Sequence, residues 1–144
     1  MDMIGRIFSL VKRNALGLSE LYPVTAKHQE EVVIEASSSI IDGIKNYLES
    51  GKFDEILQFF QLCPPDCSFV RSTSHKFANR LGKFYNISME EASKIASTLI
   101  PTALTDLVEE LKASNDKDFT VVSLLSYING RFVDFKDVAH RISA

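Results

Sequence analysis

The run Cys63-Pro64-Pro65-Asp66-Cys67 places two thiols in a proline-stiffened loop beside a helix start, an arrangement that can lower a thiol pKa and support a redox pair. The spacing is C-x3-C, whereas thiol oxidoreductases and zinc knuckles use C-x-x-C. A metal site would need two more ligands, and only His75 is near in sequence. Cys63 and Cys67 therefore read first as cysteines flanking a turn, with a redox pair as the functional alternative.

A second constellation, His28, Glu31 and Glu35, falls at i, i+3 and i+7 and resembles half of the carboxylate and histidine set with which helical bundles hold paired metals. No other helix supplies the matching half, so a solvated acidic face explains these residues. Asp116-Lys117-Asp118 opens like a calcium loop, but Val121 stands where the sharp turn needs glycine and Tyr127 where a bidentate glutamate belongs. The three histidines, His28, His75 and His140, are far apart in the chain. No Gly-rich phosphate loop or nucleophile elbow occurs. No catalytic, cofactor-binding or metal-binding residue is assigned, and no cofactor is expected.

Arg71, Lys76, Arg80 and Lys83 lie on one predicted helix and form the candidate interaction face, suited to an acidic partner or a membrane surface, with a plain solvated face as the alternative. Ala78 and Gly82 in the same segment have the spacing of a helix-turn-helix motif. The element that would follow, however, begins Met89-Glu90-Glu91, which phosphate would repel, and the net charge is −3. Nucleic acid is not an expected partner.

These side chains must be positioned by helices, because apolar residues recur at helical spacing nearly throughout and no run alternates with period two. Ile4, Ile7, Phe8 and Val11 form one stripe of a first helix over 3–15, and Gly17 and Pro23 mark a linker. A long helix beginning after Thr25 carries Val33, Ala36, Ile40, Ile44 and Leu48 and ends at Gly51. Phe53, Ile56, Leu57 and Phe60 make a short helix stopped by Pro64-Pro65. The next, over 68–83, sets Val70, Phe77, Leu81 and Phe84 on one side. Ser88-Met89-Glu90-Glu91 fits a capping box.

Beyond that cap, residues 92–108 are apolar nearly all round, from Ala92, Ile95 and Ala96 through Leu99, Ile100, Ala103 and Leu104 to Leu107 and Val108. This predicts a buried central element that kinks or restarts at Pro101. Val121, Leu124, Leu125 and Ile128 predict a short helix ending at Asn129-Gly130, and Asp134, Val138, Ala139 and Ile142 a last one.

The 144 residues, 45% hydrophobic and 24% charged, describe one ordinary globular domain large enough to bury a core without staples. The longest apolar runs are broken by charges well before the ~18–20 residues of a membrane span. Charges within residues 1–15 break the apolar core a secretory leader needs, so export by that route is not expected, and with two cysteines the expected setting is cytoplasmic.

Leu10-Val11-Lys12, the stretch Ala36 to Lys45, and Thr98-Leu99-Ile100-Pro101 together resemble a bacterial family of small helical proteins of unknown function, more remotely similar to YidB-like proteins. The resemblance spans roughly residues 4 to 132. It implies an all-helical bundle around a central apolar helix and brings no catalytic residue. Where related sequences have a Gly-rich loop after the third helix, this chain has the Cys63 to Cys67 segment. The expectation is a single all-α domain of seven or eight helices acting as a non-enzymatic protein-interaction or scaffold module, by self-association or with a protein partner. The alternative is a binder of an apolar small molecule or lipid in the bundle core.

Overall fold

The computed structural model describes residues 2–62, 64 and 66–131, which form seven helices and no strand. The first, α1 (Met3–Leu18), is capped by Asp2, whose carboxylate accepts from the Gly5 amide at 2.8 Å. It runs past the predicted boundary because Ala15 and Leu18 are buried, so Gly17 belongs to its last turn. Pro23 is not in a linker either: it opens the short α2 (Pro23–Lys27), where a missing N–H costs nothing. Buried Thr25 fastens this corner by donating to the carbonyl oxygens of Tyr22 and Leu18.

Next come α3 (Gln29–Glu49), ended by Gly51 at φ +75°, and α4 (Phe53–Leu62). Then α5 (Ser68–Tyr85) closes on Asn86 in the left-handed region, and α6 (Met89–Ala113) starts at Ser88, whose hydroxyl accepts from the Glu91 amide as predicted. Finally α7 (Val121–Arg131) begins where Thr120 accepts from the Ser123 amide. Asn129-Gly130 lies inside α7 rather than ending it. The predicted last helix falls outside the described residues.

Four helices close a ring in which α1 packs on α3, α3 on α5, α5 on α6 and α6 on α1. On the outside, α4 lies against α3 and α5, α7 against α3, and α2 against α1 and α3. Among the described residues α3 thus touches every other helix, and its middle is buried without interruption from Ala36 to Ile41.

The sequence placed that central burial in α6, and the apolar side chains from Ala92 to Val108 named there are indeed all buried. Yet α6 keeps an open face along Ser93, Ser97 and Thr102. Hydroxyls on this side fold back onto the helix, Thr98 donating to the Lys94 carbonyl at 3.0 Å and Thr102 to that of Thr98 at 2.8 Å. The helix does not restart at Pro101, which lies within one continuous element.

Inside α3 the burial includes Ser37, Ser38 and Ser39. Small residues suit this position because α5 comes close: a Cβ on Gly43 would stand 2.6 Å from Thr73 Oγ1. The Ser37 and Thr73 hydroxyls are buried without a hydrogen-bond partner among the described residues. Removing an unsatisfied buried hydroxyl relieves its desolvation penalty, so Ser37→Ala and Thr73→Val are each expected to stabilise the fold by about 1 kcal/mol. Urea unfolding at constant m-value measures this; a loss of stability in both variants contradicts the assignment.

Candidate functional site

The cationic side chains named from sequence separate once α5 is packed. Arg80 turns onto α3, where its guanidinium donates to Asp42 at 2.7 Å and to the Ser38 and Ser39 hydroxyls at 3.0 and 3.3 Å, with Glu35 at 3.9 Å. Its side chain is only 24% exposed. Lys83 lies twelve residues beyond Arg71, about 18 Å along the helix, with its ammonium over the Phe84 ring. Arg71 and Lys76 stay together on another side of α5 and line a groove of about 750 Å³.

Two groups outside the predicted interaction face complete this groove. His75 follows Arg71 by one helical turn, and Lys52 arrives from the α3–α4 connection with its ammonium 5.0 Å above the Tyr47 ring. Tyr47 is fixed by a hydrogen bond with Ser68 at the start of α5 and by an edge contact with Phe69. His75 was visible as an i+4 neighbour of Arg71. Lys52 was not, because its place depends on how the turn after α3 folds against α5.

Among the described residues no carboxylate lies within ion-pair distance of Lys52, Arg71, His75 or Lys76. Three other arginines are paired: Arg6 with Asp116, Arg13 with Asp106 and Glu110, and Arg80 with Asp42. Arg71 and His75 also border a second groove, of about 380 Å³, in the seam between α5 and α6. They thus form a polar ridge, one guanidinium and one imidazole, shared by both depressions. A third groove, at the junction of α1 and the segment before α7, holds the Arg6–Asp116 pair. None of these three is enclosed by the apolar core.

The other sequence candidates are used differently. His28 Nδ1 lies 3.9 Å from Glu31, but Glu35 faces Arg80, so the three do not converge. No group of three or more His, Cys, Asp or Glu able to hold a metal occurs among the described residues. Cys67 is the partly buried N-cap of α5 without a side-chain cap hydrogen bond, and Cys63 lies outside the described residues. His140 does too. No helix among the described residues is long and apolar enough to cross a membrane.

Tyr85 packs at 5.2 Å from the His28 ring, and burial, then Glu35 and Glu31, raise its phenol pKa above the ordinary tyrosine value. The folded state therefore holds this proton more tightly than the unfolded chain. Its stabilisation is complete below about pH 10 and is lost as pH rises through the folded value. Tyr85→Phe is expected to flatten part of the alkaline decline in unfolding free energy above about pH 10; an unchanged decline contradicts the coupling.

No family model, curated protein or solved structure matches the chain. The functional reading accordingly rests on its own residues.

Proposed function

We propose that this chain is a non-enzymatic protein-interaction or scaffold module that engages an acidic surface of a partner protein through Lys52, Arg71, His75 and Lys76. The observation that carries this reading is that these groups have no ion-pair partner among the described residues and stand beside an open groove, whereas Arg6, Arg13 and Arg80 are neutralised internally. A cationic edge of this kind steers association and fixes orientation, and its contribution is screened by salt. As part of the same reading the module works in the cytoplasm, the reducing setting that two sparse cysteines suit.

The test compares proteins cross-linked in the native host to the wild-type chain with those cross-linked to Arg71→Glu/Lys76→Glu, helical content being checked by circular dichroism. A protein recovered with the wild type and lost with the folded variant supports the proposal. An identical set of partners from both overturns it.

A further inference from the structure

The groove along the outer face of α5 carries a charge excess that one carboxylate would leave mostly unbalanced. Lys52, Arg71 and Lys76 are permanent cations there, His75 adds a ring N–H, and the rest of the lining is hydroxyl, phenol and amide with no carboxylate. None of the four has an ion-pair partner among the described residues. A single carboxylate offsets one formal charge, whereas a phosphate monoester carries about −1.5 to −2 at neutral pH and offers three acceptor oxygens.

The donors also arrive from two directions. On α5 two i, i+4 pairs, Arg71 with His75 and Ser72 with Lys76, lie side by side, each spanning about 6 Å along the axis. Lys52 reaches in from the α3–α4 connection, its ammonium held over the ring of Tyr47, which is itself fixed by the hydrogen bond with Ser68. A planar carboxylate meets one such row of donors, while the tetrahedral oxygens of a phosphoryl group meet both.

The acid-free surface is short. Tyr47 and Ser68 also line a depression that contains Glu55, and Arg71 and His75 border the seam that contains Asp66. A nucleic acid or an anionic bilayer laid across the groove meets these carboxylates, whereas a compact dianion fits between them. Because the groove is open to solvent, where isolated ion pairs contribute little, a phosphoryl group held there needs a carrier that makes contacts of its own. A protein side chain supplies such a carrier, and a free phosphate ester does not.

We propose that this groove receives a phosphorylated side chain of the partner protein, its phosphoryl group bridging Lys52, Arg71 and Lys76. This rests on the cationic-edge reading above and goes further by fixing the chemical class of the anion.

The probes are short labelled glycine–alanine peptides, identical except for a centre of phosphoserine, of two adjacent glutamates with matching charge, or of serine. Fluorescence anisotropy at low ionic strength, above about pH 7 where phosphoserine is mostly dianionic, reads their binding to the full chain. The phosphoserine peptide is expected to bind at least about tenfold more tightly than the double glutamate, through charge-assisted bonds to its third oxygen. Lys52→Gln, an exposed change, is expected to weaken the phosphoserine peptide about tenfold and the double glutamate less than about threefold. Ser72→Asp, also exposed, sets a carboxylate in the groove and is expected to abolish phosphoserine binding, circular dichroism confirming that both variants fold.

Equal binding of the two anionic peptides, both lost in Arg71→Glu/Lys76→Glu, overturns the phosphoryl assignment while leaving the cationic edge in place. A preference that survives both Lys52→Gln and Ser72→Asp overturns it too, as does binding of neither peptide at millimolar concentration. Inorganic phosphate bound as tightly as the phosphoserine peptide, or an oligonucleotide or phosphoinositide-containing vesicle bound more tightly, overturns the protein side chain as the source.

Discussion

Reversal of two charges, Arg71→Glu with Lys76→Glu, is expected to weaken binding of an acidic protein partner about thirty- to a hundredfold while leaving the fold intact. Each substitution replaces an attraction by a repulsion, and charge pairs at interfaces are worth a few kcal/mol when truncated. The wild-type affinity should fall with added salt, because the groove is open to solvent and the Debye length shortens from about 10 Å at 0.1 M to about 3 Å at 1 M. The variant should have lost most of that salt dependence. Stability is expected to stay within about 0.5 kcal/mol, since neither side chain makes an ion pair within the described molecule and Arg71 is exposed. A salt-independent affinity, or one untouched by the reversal, contradicts the electrostatic account.

The largest effect on stability is expected at Phe77. Its ring is fully buried at 0% exposure, whereas Phe84, assigned by helical spacing to the same stripe, is 59% exposed. Removing a buried ring forfeits its transfer free energy and leaves a cavity that the surrounding helices only partly refill. Phe77→Ala should therefore lower the unfolding free energy by about 3–5 kcal/mol, and Phe84→Ala by less than about 1 kcal/mol. Paired urea titrations with equal m-values decide this; similar losses in the two variants would show that α5 is rotated from the orientation described.

The difference between these two phenylalanines shows where the sequence carries information. Periodicity identified the helices, and along α6 it named the buried residues well, because Ala, Ile and Leu recur there with long-range partners on α5 and α1. The cap at Ser88 was equally readable, being a local hydrogen bond. Phe84 was misassigned because α5 continues beyond its last buried leucine, Leu81, and the chain turns at Asn86 before another element can cover that ring.

The centre of the bundle was harder to read, since Ser37, Ser38 and Ser39 make α3 look half polar. Ser38 and Ser39 are acceptable in the interior because Arg80 arrives from 42 and 41 residues away to donate to them. The same event removes Arg80 from the surface, so one long-range contact hides both the true central helix and the composition of the cationic edge. Local spacing contains neither fact. His75 could be inferred from its turn-mate Arg71, while Lys52 depends on the tertiary position of the α3–α4 connection.

The most direct measurement for the central claim is an NMR titration of the isotope-labelled chain with a glutamate-rich helical peptide at low salt, following every backbone amide. The account predicts shifts concentrated at Lys52 and along Arg71 to Asn79, absent in Arg71→Glu/Lys76→Glu. Shifts centred instead on the Arg6–Asp116 groove or on the Phe84 corner, or no shifts at millimolar peptide, would contradict it.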